Sequence, residues 1–231
     1  MTTPKHEKGD SQELDPQTSS EEVVCQNRSE HQRETVSQRE SVEQGAEGRY
    51  ADSESEWVPG ADGIVERTAS RVVLIDPEGK LFLIRGHDIE DPEHGWWFTV
   101  GGGIGAEEDP SDGAVRELFE ETGLGVEPSR LVGPVLERTA IFHFTYRTRR
   151  QYEKFFLLYV SGDEAEAVSS WNQDNLTDLE RDVLDEVAWW DPADIIQADR
   201  EGTKIYPLGI GQMVSSWYPE WDGKVLTVSE S

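Results

Sequence analysis

Residues Gly102–Leu124 read GGIGAEEDPSDGAVRELFEETGL, a glycine-rich turn followed by a run with the periodicity of a helix. Asp109 suits the N-cap of such a helix, and Pro110 suits its first turn. Gly123 adopts the left-handed conformation of a helix end without strain. The stretch therefore predicts a helix from Pro110 to Thr122.

Three glutamates lie on one side of this predicted helix. With about 100° per residue, Glu120 and Glu121 fall within roughly 60° of Glu117, on either side of it. A cation would relieve their repulsion, and carboxylate oxygens favour Mg²⁺, Mn²⁺ or Ca²⁺. A solvated acidic face is the alternative interpretation, because the chain is acidic throughout. The opposite side is predicted to be buried and carries Ala114, Val115, Leu118, Phe119 and Thr122.

Apolar runs on both sides of the helix predict strands. Turn chemistry at residues 77–79 separates Arg71–Asp76 from Lys80–Arg85, which predicts a hairpin. Further strands are predicted at Trp96–Val100, Leu131–Ala140, Ile141–Arg147, Tyr152–Val160 and Val187–Asp191. Pro192 opens a short helix, and the spaced apolar residues of Ile205–Trp217 predict a closing helix. This order of elements predicts a mixed α/β fold.

Residues 1–60 differ in composition from the remainder of the chain. They are rich in Glu, Gln, Ser and Arg and nearly free of aromatic side chains. Such a segment buries too little apolar surface to offset the loss of chain entropy, so we predict a disordered acidic tail. Residues 61–231 are predicted to form one domain.

The overall charge limits the kinds of partner. The chain carries 48 acidic and 21 basic residues, a formal net charge of -27. This charge disfavours long nucleic acids and anionic membranes. Cys25 is the only cysteine, so no intrachain disulfide forms, and no run reaches the roughly 18 to 20 apolar residues of a membrane-spanning helix. Because the sequence also starts without an export signal, we expect a soluble, cytoplasmic protein.

Gly102, Glu108 and the segment from Arg116 to Leu124 resemble the Nudix box, G-x5-E-x7-R-E-U-x-E-E-x-G-U, in which U is a bulky aliphatic residue. Every specified position of this pattern is filled. The predicted strand, glycine turn and helix supply the context that such a match requires. The resemblance to the Nudix (MutT-like) hydrolases implies an α/β/α sandwich with a mixed β-sheet.

The resemblance also implies roles for the charged residues of the box. Glu117, Glu120 and Glu121 would bind Mg²⁺ or Mn²⁺ and act in catalysis, with Glu117 or Glu121 close to the attacking water. Glu108 would support them. Arg116 has the charge and the fork to hold Glu108 or Glu117 in place.

Gly102 and Gly103 are assigned to the ligand-binding turn, where the missing side chains let the backbone approach the helix closely. Two positions near this turn depart from many relatives. Val100 stands where they have proline, and Gly105 stands where they have glutamate. A missing loop carboxylate would alter the number or the affinity of bound metal ions.

Three further candidates lie outside the box. Family members often recruit another glutamate from a loop after the central strands, and Glu180 is favoured over Glu164, Glu166 and Glu186. Arg85, at a strand end, is assigned to a phosphate, with simple solvent exposure as the alternative. Trp97 is assigned to base stacking, together with Trp96, Trp189 and Trp190, although aromatic residues in strands often belong to the core.

The resemblance implies hydrolysis of a diphosphate linkage in a nucleoside diphosphate-linked small molecule, by water attacking phosphorus. Nucleoside triphosphates, ADP-ribose, nucleotide sugars and dinucleoside polyphosphates all fit, and a homodimer is compatible with the family. A non-catalytic nucleotide-sensing or regulatory module is the alternative. Action on RNA ends ranks last, because only Arg147, Arg149 and Arg150 form a basic cluster.

Overall fold

The structure is a computed structural model that describes residues 57–144 and 147–231. Residues 1–56 of the predicted tail lie outside the described residues. Its last residues, 57–60, take part in the fold: strand β1 (Val58–Pro59) pairs with Glu66 and Val65, and the Arg67 guanidinium lies 4.5 Å from the centre of the Trp57 ring. Pairing with the sheet thus extends the fold slightly beyond the boundary that composition predicts.

Within these residues, ten strands form one mixed sheet. After β1 they are β2 (Val65–Ile75), β3 (Leu81–Asp88), β4 (Asp91–Phe98), β5 (Val100–Gly103), β6 (Val132–His143), β7 (Thr148–Tyr159), β8 (Leu184–Trp190), β9 (Ile205–Tyr206) and β10 (Leu226–Glu230). The main path runs β10-β6-β7-β2-β3-β4-β9, while β1 and β5 pair with β2 and β8 pairs with β3. The pairs β2–β7, β4–β9 and β6–β10 are parallel, which confirms the prediction of a mixed sheet.

Helices cover both faces of the sheet. They are α1 (Pro110–Thr122), α2 (Gly162–Ser169), α3 (Asp178–Val183), α4 (Pro192–Arg200) and α5 (Ile210–Met213), with 3-10 turns at Pro128–Arg130 and Val214–Ser216. None of the helices in the described part of the chain is long and apolar enough to cross a membrane.

Alternate residues of the central strand β2 build two separate cores. Val72 and Leu74 face α1 and α2, where they join Ala114, Leu118 and Val168. Val73 and Ile75 face the opposite layer, where they join Ile195, Ile210, Val214 and Trp217. A strand buried on both faces requires this two-sided cover. The arrangement confirms the predicted α/β/α sandwich.

Helix α1 has the predicted bounds. The Asp109 side chain accepts a hydrogen bond from the Ser111 N–H, and Gly123 ends the helix at φ 75°. Ala114, Leu118 and Thr122 are buried, as predicted. The prediction that Phe119 is buried is wrong, because its side chain is 47% exposed. Neither core cluster extends over that edge of the helix, so its apolar ring stays in contact with water.

The helix end supports a prediction about stability. We expect Gly123→Ala to lower the free energy of unfolding by about 1 to 2 kcal/mol, because φ 75° is unfavourable for a residue with a Cβ atom. Gly125→Ala is the matched control, since its φ lies outside the left-handed region and its new Cβ atom would meet only Phe119 at 3.8 Å. Urea denaturation of both variants measures the difference. Equal stabilities would show that the cap conformation carries no cost.

Several predicted strands have different ends in the structure. The hairpin of β2 and β3 is present but pairs only at Ile75 and Leu81, after which β3 pairs with β4 and β8. The run Trp96–Val100 is divided between β4 and β5 at Thr99. The three runs predicted from Leu131 to Val160 are two long strands, β6 and β7, which pair with each other.

The predicted closing helix at Ile205–Trp217 is wrong in its first half. Ile205–Tyr206 forms β9, and the helix starts only at Ile210, after Pro207 and a left-handed Gly209. Both residues interrupt a helix, because proline lacks the N–H donor and glycine favours other conformations. Strand β10, which pairs with β6, was not predicted from the sequence.

Candidate active site

The carboxylate face of α1 lies against β5. The Gly101 N–H donates to Glu121 Oε2 at 2.8 Å, and a Cβ atom placed on Gly102 would lie 2.5 Å from Glu117 Oε2. Glu117 and Glu121 are buried, at 7% and 4% exposure. These carboxylates therefore face the interior of a site instead of open solvent, and the glycine turn approaches the helix as closely as the sequence predicts.

Arg116 joins the acids of the box. Its Nε donates to Glu108 Oε1 at 2.9 Å, and its Nη1 donates to Glu117 Oε1 at 2.7 Å and to Glu120 Oε2 at 3.1 Å. Its Nη2 donates to the Gly103 carbonyl at 3.0 Å. The Arg116 guanidinium thus contacts both Glu108 and Glu117, which were predicted as alternative partners. Hydrogen bonding to Arg116 lowers the pKa of Glu108.

Burial perturbs the titration of the remaining acids. It raises the pKa of Glu117 to about 7, against the opposing effect of Arg116. Burial and then the charge of Glu117 raise the pKa of Glu121 well above its ordinary value, and burial raises the pKa of Glu120. Burial thus disfavours the charged form of these three carboxylates, and a bound cation would offset that effect.

This donor set fits a divalent cation. Glu117 Oε1 and Glu120 Oε2 converge on one nitrogen of Arg116, so the two carboxylates already point at a common positive charge. In the part of the chain that the structure describes, no group of three or more acidic, His or Cys side chains is arranged to hold a metal ion. Mg²⁺ needs fewer protein ligands, because it usually takes one or two carboxylates and fills the other positions with water and phosphate.

Glu180 lies on the same site. It occupies the third position of α3, where its Oε2 accepts hydrogen bonds from Thr177 N at 2.8 Å and Thr177 Oγ1 at 2.7 Å. Glu180 lines the same cavity as Glu120 and Glu121, and its charge adds to burial in raising the pKa of both. The structure therefore brings this candidate to the box carboxylates.

The cavity has a volume of about 550 Å³ and a lining of two chemical kinds. Glu180 and the α1 carboxylates are acidic. Other lining residues are basic or aromatic: they are Arg67, Arg138, Arg147, Arg149, Trp57 and the aromatic wall, by which we mean Trp96, Phe142, Phe144 and Tyr206.

The rings of the aromatic wall contact one another. Phe142 and Phe144 are stacked at 6.1 Å between centroids, and Phe144 lies 6.2 Å from Trp96. Phe142 also meets Tyr206 edge-on at 6.2 Å. The wall is therefore one continuous surface of rings from β4, β6, β9 and Phe144, which follows β6.

Four sequence candidates lie away from the cavity: Arg85, Trp97, Trp189 and Trp190. Trp97 is 8% exposed and packs edge-on against Trp190 at 5.1 Å, because strand alternation turns Trp96 toward the cavity and Trp97 into the core. Arg85 lies 3.6 Å from Asp185 and 3.5 Å from Glu186, both on the neighbouring β8. The structure therefore corrects these four assignments.

Sequence reasoning missed a buried ion network beneath the site. Glu153 is 2% exposed and accepts from Arg71 Nε at 3.1 Å and from Arg138 Nε. Burial raises the pKa of Glu153, but the two guanidiniums outweigh burial and hold it below its ordinary value. Arg71 also donates to the Gly101 carbonyl, which ties the network to the strand that holds Glu121. The signal available in the sequence was the presence of Arg71, Arg138 and Glu153 within largely apolar strands.

Known proteins resemble the chain in this region. The NUDIX domain profile matches residues 65–208, more than half of the chain. Diphosphoinositol polyphosphate phosphohydrolase 3-beta of Bos taurus is 32% identical over 85 residues, which are 37% of this chain and 49% of that protein. RNA pyrophosphohydrolase of Afipia carboxidovorans is 31% identical over 114 residues, which are 43% of this chain and 65% of that protein.

The chain thus spans less than two thirds of the length of these curated relatives. Among solved structures, a MutT protein from Methanosarcina mazei Go1 aligns with a TM-score of 0.42 at 18% identity, over 65% of this chain and 91% of that one.

Proposed function

The chain belongs to the Nudix family, and we propose that it is a metal-dependent hydrolase that cleaves the diphosphate linkage of a nucleoside diphosphate-linked small molecule. One observation carries the proposal. Glu117, Glu120, Glu121 and Glu180 line the same cavity as a set of arginines and aromatic rings. Such a lining suits a ligand that contains both a phosphate chain and a planar group.

The α1 carboxylates would hold Mg²⁺ or Mn²⁺. When bound, such an ion lowers the pKa of water and neutralises phosphate oxygens. Arg116 fixes the positions of Glu117 and Glu120, while the Gly101 N–H fixes that of Glu121. Glu117 Oε2 accepts no hydrogen bond from Arg116, so this oxygen is the one that would face the metal ion or the attacking water.

The aromatic wall supports a nucleotide-type substrate. Aromatic side chains present flat faces on which a base can stack, and the stacked pair Phe142 and Phe144 offers such a surface. Arg147 and Arg149 line the same cavity, and guanidinium groups match the geometry of phosphate oxygens. This arrangement favours a substrate that contains both a base and several phosphates.

The arginines that line the cavity also favour a second group of substrates, those with additional phosphates. The relatives named above are described as acting on diphosphoinositol polyphosphates and on RNA pyrophosphate ends. Arg147 and Arg149 of the predicted basic cluster line the cavity, whereas Arg150 pairs with Glu66 at 3.0 Å. Both substrate classes therefore belong in the test. The homodimer and the cytoplasmic location stay predictions.

The deciding experiment measures phosphate release from a panel of substrates with Mg²⁺ or Mn²⁺, with EDTA, and coupled to a phosphatase. The panel contains nucleoside triphosphates, ADP-ribose, nucleotide sugars, dinucleoside polyphosphates, a diphosphoinositol polyphosphate and 5′-triphosphorylated RNA. We expect metal-dependent cleavage of a nucleotide. Retained nucleotide binding with no cleavage across the panel would favour the sensing module instead.

A glycine of the box provides a variant with a geometric basis. We expect Gly102→Ala to lower turnover by roughly ten- to a hundredfold, because the new Cβ atom would lie 2.5 Å from Glu117 Oε2 and displace it. Gly105→Ala is the matched control, since its nearest neighbour is 3.8 Å away at Glu108 Cβ. Initial rates at saturating substrate check both variants, and full activity of Gly102→Ala would place the reacting groups elsewhere.

A further inference from the structure

Strand β10 lies outside residues 65–208, the part matched by the family profile, yet one of its side chains reaches the site. Glu230 is 10% exposed in its side chain. Its Oε2 accepts a hydrogen bond from Arg138 Nη1 at 2.9 Å, and its Oε1 accepts one from the Leu208 N–H at 3.0 Å. One carboxylate thus joins β6 to the segment that follows β9.

Both partners of Glu230 adjoin the aromatic wall. The Arg138 guanidinium lies 5.6 Å from the Phe142 ring and 5.9 Å from the Tyr206 ring. Leu208 follows Tyr206 by two residues in the chain. Glu230 therefore fixes the cation beside the wall and the backbone next to one of its rings at the same time.

Charge balance makes this contact necessary. The Arg138 side chain is only 3% exposed, and it shares Glu153 with Arg71. Glu230 and Glu153 together neutralise the two guanidiniums. Without Glu230, two buried cations would share one carboxylate, and a buried charge that lacks a partner is strongly unfavourable. Arg138 would then move toward water, and the cavity that it lines is the available route.

We propose that Glu230 is a positioning residue for substrate binding: it holds Arg138 and the Leu208 backbone so that the aromatic wall keeps its shape. The inference rests on the proposed function. Glu230 forms hydrogen bonds with Arg138 and Leu208, whereas the α1 carboxylates are fixed by Arg116 and Gly101. Its removal therefore weakens binding of the planar part of the substrate and leaves the chemical step largely intact.

Steady-state kinetics separate the effect on substrate binding from the effect on the chemical step. The substrate is the nucleotide that the natural chain cleaves best. We expect Glu230→Ala to raise KM by about tenfold or more and to change kcat by less than about threefold. Glu230→Gln keeps one acceptor oxygen for Leu208 and should raise KM less. Ser229→Ala, an exposed neighbour on the same strand, is the matched control and should match the natural chain. A loss of kcat at unchanged KM would overturn the proposal.

Hydrogen exchange supplies a readout that needs no turnover. The Leu208 amide should exchange faster in Glu230→Ala than in the natural chain and in Ser229→Ala, because its acceptor is gone. Unchanged exchange at Leu208 would overturn the positioning role, even with an active enzyme. If the natural chain cleaves nothing in the panel, the proposed function fails, and the exchange data still decide whether Glu230 holds this segment.

Discussion

Glu121→Gln is expected to lower metal-dependent turnover by at least about a hundredfold while leaving the fold intact. Replacing groups that merely support a metal ligand typically costs ten- to a hundredfold, so loss of a ligand charge should cost at least as much. In the natural chain the Gly101 N–H donates a hydrogen bond to Glu121 Oε2 at 2.8 Å. The fold survives because the amide oxygen of glutamine can accept the same hydrogen bond. Turnover with Mg²⁺ and a thermal melt in EDTA measure the two effects separately.

Glu107→Gln is the control for this variant. Glu107 is an exposed acid in the turn before α1, so its replacement removes the same charge without touching the site. We expect it to keep its turnover. If Glu121→Gln were as active as this control, Glu121 would not be a metal ligand, and the proposed ligand set would have to be revised.

Glu153→Ala is expected to lower the free energy of unfolding by about 3 to 5 kcal/mol, the range for a buried ion pair that loses one partner. Glu153 is fully enclosed between Arg71 and Arg138, so its removal leaves two buried cations facing each other. Glu153→Gln keeps the shape and removes only the charge. Urea denaturation compares them with Glu137→Gln, an exposed acid on β6. A loss below about 1 kcal/mol for Glu153→Ala would show that the network is dispensable.

The same residue predicts a pH dependence with a defined sign. The two guanidiniums lower the folded-state pKa of Glu153 below its unfolded value of about 4.3. Its contribution to stability is therefore complete above that unfolded value and disappears as the pH falls through the lower folded value. The difference in stability between the natural chain and Glu153→Gln should be constant near neutral pH and shrink in acid. A difference that grows in acid would contradict this assignment.

Local sequence signals were enough for the centre of the site. Asp109, Pro110 and Gly123 specify the ends of α1 by capping chemistry that depends only on neighbouring residues. The capping box of Thr177 and Glu180 at α3 is also a short-range signal, although Glu180 was favoured only for its place after the central strands.

Contacts between distant strands account for what the sequence did not predict. Arg85 pairs with Asp185 and Glu186 because β3 and β8 are neighbours, and no local pattern encodes that pairing. The choice between Trp96 and Trp97 depends on which face of β4 is covered. Strand β10 escaped notice because the run LTVSE is short and partly polar, and its stability comes from pairing with β6.

The parallel pairing of β2 with β7 has a kinetic consequence. It joins residues 84 positions apart, such as Val65 and Arg149, and β5 and α1 both lie within the loop that it closes. Pairings of such high contact order form slowly, because loop-closure entropy is lost before any contact compensates for it. Helix α1 shares its core with Phe156 and Leu158 of β7, so the packing that holds its carboxylates is complete only when this large loop has closed. Enzymatic activity should therefore return on refolding with the last and slowest structural phase, and helix formation alone should restore none of it.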